Sequence, residues 1–318
     1  MRRVDGAQKA FHQLAARLYC MRGNVLHSVT CSITDSRIMT QPPPDLTDRK
    51  ALARNRSRAA GDMFLHDIAR DELQSRLAEV NRQFTKPAIV TGLRERWSDF
   101  LPEARLVEDS PVLALEEGAH DLVIHVMALH WAADPVGQLV QARRALCPDG
   151  LFLGVMLGGQ TLAELRACLA QAESEVTGGL SPRVLPMAEI RDLGGLLQRA
   201  GFALPVADQI SQKVAYSRIE RLYDDLRAMG ERNALAARRR SFTPRALFSR
   251  TAALYAQHHT GSDGRLRASF DLVFLTGWFP DASQPKPLRP GSATARLADA
   301  LGTQEAPLPD RIKIPGKD

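Results

Sequence analysis

Histidine is the side chain whose ordinary pKa lies closest to neutral pH, which suits it to proton transfer and metal binding. Three histidines, His120, His125 and His130, recur at intervals of five. On a strand an odd interval sends successive side chains to opposite faces, so these three do not converge on a metal. His125 reads as a core or sheet-face residue. His130, at a strand end and followed by Trp131, is the candidate for ligand or substrate contact. Arg94 and Arg96 offer forked donors suited to a carboxylate or phosphate. His258 and His259 end a helical pattern, where positive charge suits the helix C-terminus. No H-E-x2-H, G-x-S-x-G or P-loop motif is present, so the sequence supports neither a hydrolase nor an NTPase.

The elements that position His130 and Trp131 lie within His120–Gly159. Leu122–Leu129 is an apolar, β-branched run suited to a buried strand and too short to span a membrane. Asp134 stands where a helix N-cap belongs, with Pro135 at the first helical position, where its missing N–H costs nothing. Val136, Leu139, Val140 and Leu146 fall at helical spacing. Pro148-Asp149-Gly150 breaks the helix with turn chemistry, and Leu151–Leu157 supplies a second apolar strand. Two wholly apolar strands around one helix predict a parallel βαβ unit covered on both faces. Ligands in such sheets bind beyond the carboxyl ends of the strands, which places His130, Trp131, Gly158 and Gly159 on the functional edge.

The residues D-L-V-I-x4-L-H-W-x2-D-P, followed by R-A-L-x-P-D-G-L-F-L, resemble the fourth and fifth strands of class I S-adenosylmethionine-dependent methyltransferases. With GGQTLAELRACLAQAESEVTGGLSPRVLP and DLGGLLQRAGF, the likeness extends to one branch. That branch holds the malonyl-carrier methyltransferases of biotin synthesis and the mitochondrial complex I assembly methyltransferase-like proteins. It runs from about Leu46 to Leu301. The resemblance implies an α/β, Rossmann-like fold, S-adenosylmethionine as cofactor and methyl transfer as the reaction. For the assembly proteins it implies a respiratory complex I subunit as partner, and those relatives have been linked to arginine hydroxylation of such a subunit.

One stretch departs from the family. Lys86–Gly92, KPAIVTG, reads as the first strand, and a class I enzyme continues with D-x-G-x-G-x-G. Glycines there let the backbone approach the methionine part of the cofactor with no Cβ in the way. Here the chain runs Thr91-Gly92-Leu93-Arg94-Glu95-Arg96-Trp97, so Gly92 alone survives. Between Gly92 and Asp121 there is room for a helix over Leu93–Leu101 and one strand over Ala104–Glu108. One βαβ unit alone takes about 30 residues, so a strand–helix unit is missing, with the acidic residue that would hold the cofactor ribose. Glu108 and Asp109 resemble the later acidic position on the adenine side, or simply end a strand at a polar turn. The cofactor contacts that the resemblance implies are therefore Gly92, Glu108, Asp109, His130 and Trp131. Binding through them should be weak. The alternatives are that Arg94 and Arg96 hold a different anion, or that the pocket is vestigial.

Helical patterns also cover Leu46–Phe84 as a lid or entry segment beside the sheet, Thr161–Val176 and Met187–Ala200. Leu204–Tyr216 and Leu266–Thr276 read as the final antiparallel pair, with helices inserted over Ser217–Thr260. The Arg49–Arg58 cluster and the Arg238-Arg239-Arg240 triplet read as solvated basic faces. The Pro-rich end from 281 onward reads as a strap, over a partner or over its own domain. At 318 residues and 44% apolar composition the chain can bury a sizeable core. The net charge of +6 is concentrated in residues 1–60, which hold 11 Lys/Arg against 4 Asp/Glu. The remainder is close to neutral, which weakens a nucleic-acid reading. Four cysteines without a C-x2-C pair suit a reducing compartment, and no apolar run reaches membrane-spanning length. Residues 1–38, with six basic and two acidic residues, read either as an extension upstream of a start at Met39 or as a mitochondrial transit peptide. A bacterial cytoplasm goes with the first and the mitochondrial matrix with the second. Residues 1–45 are expected to be disordered.

Overall fold

The computed structural model describes residues 45–285 and Gly302. The N-terminal extension, Met39 and the chain from 286 onward, Gly302 apart, lie outside the described residues. The elements in order are α1 (Arg49–Arg56), α2 (Phe64–Glu79), β1 (Pro87–Thr91), α3 (Arg94–Trp97), β2 (Arg105–Glu108) and β3 (His120–Val126). A 3-10 turn (Leu129–Trp131) follows, then α4 (Pro135–Ala145), β4 (Leu146–Gly158), α5 (Ala163–Thr177) and α6 (Ile190–Ala200). The chain closes with β5 (Ala203–Tyr216), α7 (Ile219–Ala228), α8 (Arg245–His258) and β6 (Leu266–Trp278).

Six strands form one sheet in the order β2-β1-β3-β4-β6-β5. β2, β1, β3 and β4 are parallel neighbours, and β6 runs antiparallel to both β4 and β5. The expected parallel βαβ unit and the closing antiparallel pair are both present. β2 pairs directly with β1, so the interval after Gly92 holds a single strand.

Period-2 alternation sorts the strand residues to two faces. On one face Ile89, Leu122, Ile124, Leu153 and Val155 pack with α2, α5, α7 and α8. On the other, Ala88, Val90, Val123, Phe152 and Met156 pack with α4 and α6. Burial on both faces is why these strands read as continuous apolar runs.

Local chemistry sets the boundaries. Asp134 caps α4 by accepting from Gly137 N at 2.8 Å, with Pro135 leading. Gly178 and Gly201 end α5 and α6 at φ of 69° and 84°, where a side chain would be strained. The turn at Cys147–Gly150 falls inside β4 as an irregularity of the β3–β4 register, with Asp149 at φ 59°. The N-terminal helical pattern is broken into α1 and α2 by the segment 57–63. The helix expected over Leu93–Leu101 forms only at Arg94–Trp97. There Ser98 turns its hydroxyl onto the Glu95 carbonyl (3.1 Å), and Pro102 follows shortly after.

Candidate functional site at the carboxyl edge of the sheet

Gly92 follows β1, and Glu108 ends β2 as the register partner of Thr91. Both open on a cleft of about 760 Å³ whose walls include Arg49, Arg56, Arg94 and Arg96. Asp109, the next residue, does not face this cleft as a free carboxylate. It is 1% exposed and is gripped from α1 by two arginines. Arg56 Nη1 donates to Oδ1 at 2.7 Å, and Arg49 reaches Oδ2 at 3.2 Å and the backbone carbonyl at 2.6 Å. Burial pushes the Asp109 carboxyl up, but the charges and hydrogen bonds of Arg56 and Arg49 outweigh it and hold it below the usual range.

Arg56 also closes the space above Gly92. A Cβ built on Gly92 would overlap the Arg56 guanidinium. The group that approaches Gly92 is thus a side chain of the same protein. The expectation that Arg49–Arg58 is a solvated basic face fails for Arg56, whose side chain is 8% exposed. Arg94 donates to the Leu106 carbonyl (3.0 Å), and Arg96 pairs with Asp67. Arg238 and Arg240 pair with Asp48, the N-cap of α1, at 2.9 and 3.2 Å.

His130 and Trp131 sit on the 3-10 turn beyond β3, and both are buried. They share one partner, Glu231, which lies beyond α7. Trp131 Nε1 donates to Glu231 Oε2 at 2.7 Å, and His130 Nε2 lies 3.2 Å from the same oxygen. Burial pushes the Glu231 carboxyl up; His130, the nearby Arg56 charge and the Trp131 hydrogen bond bring it below the usual range. The His130 ring nitrogen Nδ1 is buried without a partner among the described residues.

A second buried histidine joins this cluster. His66 on α2 faces Trp97, whose indole N–H can only donate, so His66 Nδ1 accepts at 3.2 Å. Burial lowers the His66 pKa from 6.5 to about 4. Its Nε2, like Arg56 Nη2, is buried with no partner among the described residues.

The structure therefore divides the expected site residues. Gly92 and Glu108 line the large cleft, Asp109 lies behind it, and Trp131 opens on a separate cavity. His120 and His125 have partners of their own, the Lys86 carbonyl (3.1 Å) and Gln138 (2.7 Å). Gly159, at φ 53°, leaves room for the Asp271 carboxylate, which accepts from Gln160 N (2.6 Å) and Ser211 Oγ (2.6 Å). Gly158 and Gly159 thus serve a structural turn. Arg56, His66 and Glu231 escape sequence reasoning, because nothing near them marks them as partners of residues 53, 31 and 101 positions away.

The chain is 36% identical over 220 residues to the protein named arginine-hydroxylase NDUFAF5, mitochondrial, from Danio rerio. The match covers 69% of this chain and 68% of that one. It is 32% identical over 225 residues to malonyl-[acyl-carrier protein] O-methyltransferase from Laribacter hongkongensis, covering 67% of this chain and 72% of that one. The chain belongs to the methyltransferase family that holds these two proteins. It spans less of the human NDUFAF5, 57% of its length at 37% identity. No family model matches it. A solved structure, phosphoethanolamine N-methyltransferase 2 of Haemonchus contortus with S-adenosyl-L-methionine, is 13% identical. It aligns with 66% of this chain and 53% of that one at a TM-score of 0.37. Among the described residues no helix is long and apolar enough to cross a membrane.

Proposed function

We propose that this chain is a protein-binding assembly factor for respiratory complex I that uses the methyltransferase fold as a scaffold. One observation carries the reading: Arg56, pinned by Asp109, fills the space over Gly92. In the family that space has to stay bare for the methionine part of S-adenosylmethionine. With the glycine loop replaced and the remaining glycine covered, the residues present do not fit this cofactor held in the family's manner. The identity to the NDUFAF5 proteins supports the assembly role and a complex I subunit as partner. Arginine hydroxylation, the activity in those relatives' name, is the enzymatic form of the same reading. The compartment that goes with it is the mitochondrial matrix, or the cytoplasm if the gene is bacterial.

A second reading keeps methyl transfer, with S-adenosylmethionine seated differently. It draws on the size of the cleft and on Glu108 in its wall, and it requires Arg56 to leave Gly92. Calorimetric titration of the full chain with S-adenosylmethionine and S-adenosylhomocysteine separates the two. Silence to millimolar ligand, together with retention of identified complex I subunits on the tagged chain, is the expected result. Micromolar binding, about −8 kcal/mol, restores the enzyme reading. Silence in calorimetry without any complex I subunit retained removes the assembly role.

A further inference from the structure

Two basic stretches that lie far apart in the chain meet on one face. Thr47 and Leu235 form an antiparallel bridge, Asp48 N donates to the Ala234 carbonyl (2.8 Å) and Ala236 N to the Leu46 carbonyl (2.9 Å). Asn55 Nδ2 donates to the Arg232 carbonyl at 3.0 Å. Gly230 packs so tightly that a Cβ there would lie 3.3 Å from the Arg56 backbone. The α1 segment, 45–62, and the connection between α7 and α8, 228–245, are thereby held side by side.

This pairing concentrates charge. Residues 45–285 hold 30 Lys/Arg and 30 Asp/Glu, so that part of the chain is neutral. Within it, residues 45–62 and 228–245 hold 10 Lys/Arg against 4 Asp/Glu. Arg49 and Arg56 are engaged by Asp109, and Arg238 and Arg240 share Asp48. Glu231 is buried on His130 and Trp131. Asp45 and Asp62 are left against six exposed cations that belong to no ion pair among the described residues: Lys50, Arg54, Arg58, Arg232, Arg239 and Arg245. Elsewhere the fold matches its arginines, as Arg82 with Asp149 (3.0 Å) and Arg183 with Glu173 (2.7 Å). Lys50 and Arg54 are also four apart on α1, where like charges repel. Such a face costs stability until a counter-charge covers it. Phe242, two residues beyond Arg240, is 100% exposed on the same connection, and covering its ring is favourable.

Unmatched guanidinium groups take carboxylates two hydrogen bonds at a time. We infer that this face docks an acidic segment of the partner protein, with its carboxylates on the unmatched cations and an apolar side chain against Phe242. The inference rests on the protein-binding reading above and names the chemistry of the partner's contact. The chain's own remaining segments do not supply the counter-charge: residues 1–44 hold six basic and two acidic residues, and 286–318 six and four. One exposed ring is neither the succession of stacking platforms that single-stranded nucleic acid uses nor the apolar face that an interfacial helix lays into a bilayer.

The probe is a short synthetic peptide of alternating Glu and Ser with a central Leu. In the nitrogen–proton spectrum of the labelled full chain, it should move the backbone peaks of Lys50, Arg54, Arg232 and Arg239 in a saturable way. The Trp131 indole peak, from a side chain buried beneath this face, should stay in place. The analogue with Gln in place of Glu should bind at least about tenfold more weakly, and so should the acidic peptide to the chain carrying Arg54→Glu and Arg239→Glu. An unmoved Trp131 indole peak in that double variant reports an intact fold. Backbone peaks that stay in place at millimolar peptide, or a Gln analogue that binds equally, would overturn the inference, and neither result needs a variant. Tighter binding of phosphatidylglycerol vesicles or of a single-stranded oligonucleotide would overturn it too, by assigning the face to a membrane or a nucleic acid. A dimer in light scattering that the two substitutions dissociate would assign it to a second copy. Complex I subunits retained equally by the wild type and the double variant keep the assembly role and remove this face. Peptide binding without any such subunit retained keeps the face and removes the assembly role.

Discussion

Asp109 and Glu231 are both buried carboxylates held below their usual pKa range, and they differ in what holds them. Asp109, at the β1–β2 end of the sheet edge, is closed by two guanidinium groups from α1. Glu231, at the β3–β4 end, is held through one oxygen by two ring nitrogens. The first arrangement uses up its charge inside the protein. The second leaves an acceptor facing a cavity. At the end where the family's glycine loop is missing the carboxylate is matched by two guanidinium groups, while at the end that keeps the L-H-W-x2-D-P pattern it is held through one oxygen alone.

The sharpest way to break this contrast is to remove the closed carboxylate. Asp109→Ala strands Arg56 in the interior, and loss of one partner of a buried pair costs about 3–5 kcal/mol. Urea denaturation should show that loss, and a value under about 1 kcal/mol would mean the pair is hydrated and the closure unimportant.

Acid tests the His66 cluster between the two ends. The folded state holds His66 neutral down to about pH 4, whereas an unfolded chain protonates it below 6.5. The unfolded state therefore binds the extra proton, and stability falls as pH drops from about 6.5 to about 4, by roughly 3 kcal/mol. Asp109 and Glu231, with depressed folded values, lose their contribution at still lower pH. His66→Asn, which can still accept from Trp97, should flatten the slope between pH 6.5 and 4; an unchanged slope would assign it to other groups.

Arg56→Ala sharpens the contrast more gently, because Arg49 stays on Asp109. We expect about 1–3 kcal/mol of destabilisation and no gain of S-adenosylmethionine binding by calorimetry, since the glycine loop is still absent. Appearance of micromolar binding would show that Arg56 alone blocks the site. The smallest effect belongs to Asp134→Ala at the N-cap of α4, about 1 kcal/mol, with the Trp131 indole peak unmoved. A moved peak would show that α4 helps set the Glu231 end.

Much of the fold was legible because its signals are local. Asp134-Pro135 starts α4, Gly178 and Gly201 stop α5 and α6, and the apolar runs of β3 and β4 announce burial on both faces. The single strand after Gly92 could be read from the length of the interval alone. His130 and Trp131 were legible as residues at a strand end. Their partner was not, because Glu231 sits 101 positions from His130 in a turn with no motif of its own. Arg56 was misread because it belongs to a run of arginines, of which Arg54 and Arg58 are exposed while Arg56 is turned inward by helix phase.

By itself, the sequence determined the strands, the start of α4, the stops of α5 and α6, the missing strand–helix unit and the loss of the glycine loop. All of these follow from side-chain periodicity, caps and interval length, which act within a few residues. Only the tertiary structure decided that Arg56 covers Gly92 and that Glu231 gathers His130 and Trp131. A buried charge takes whichever partner packing brings within hydrogen-bonding reach, and that choice is made across the fold.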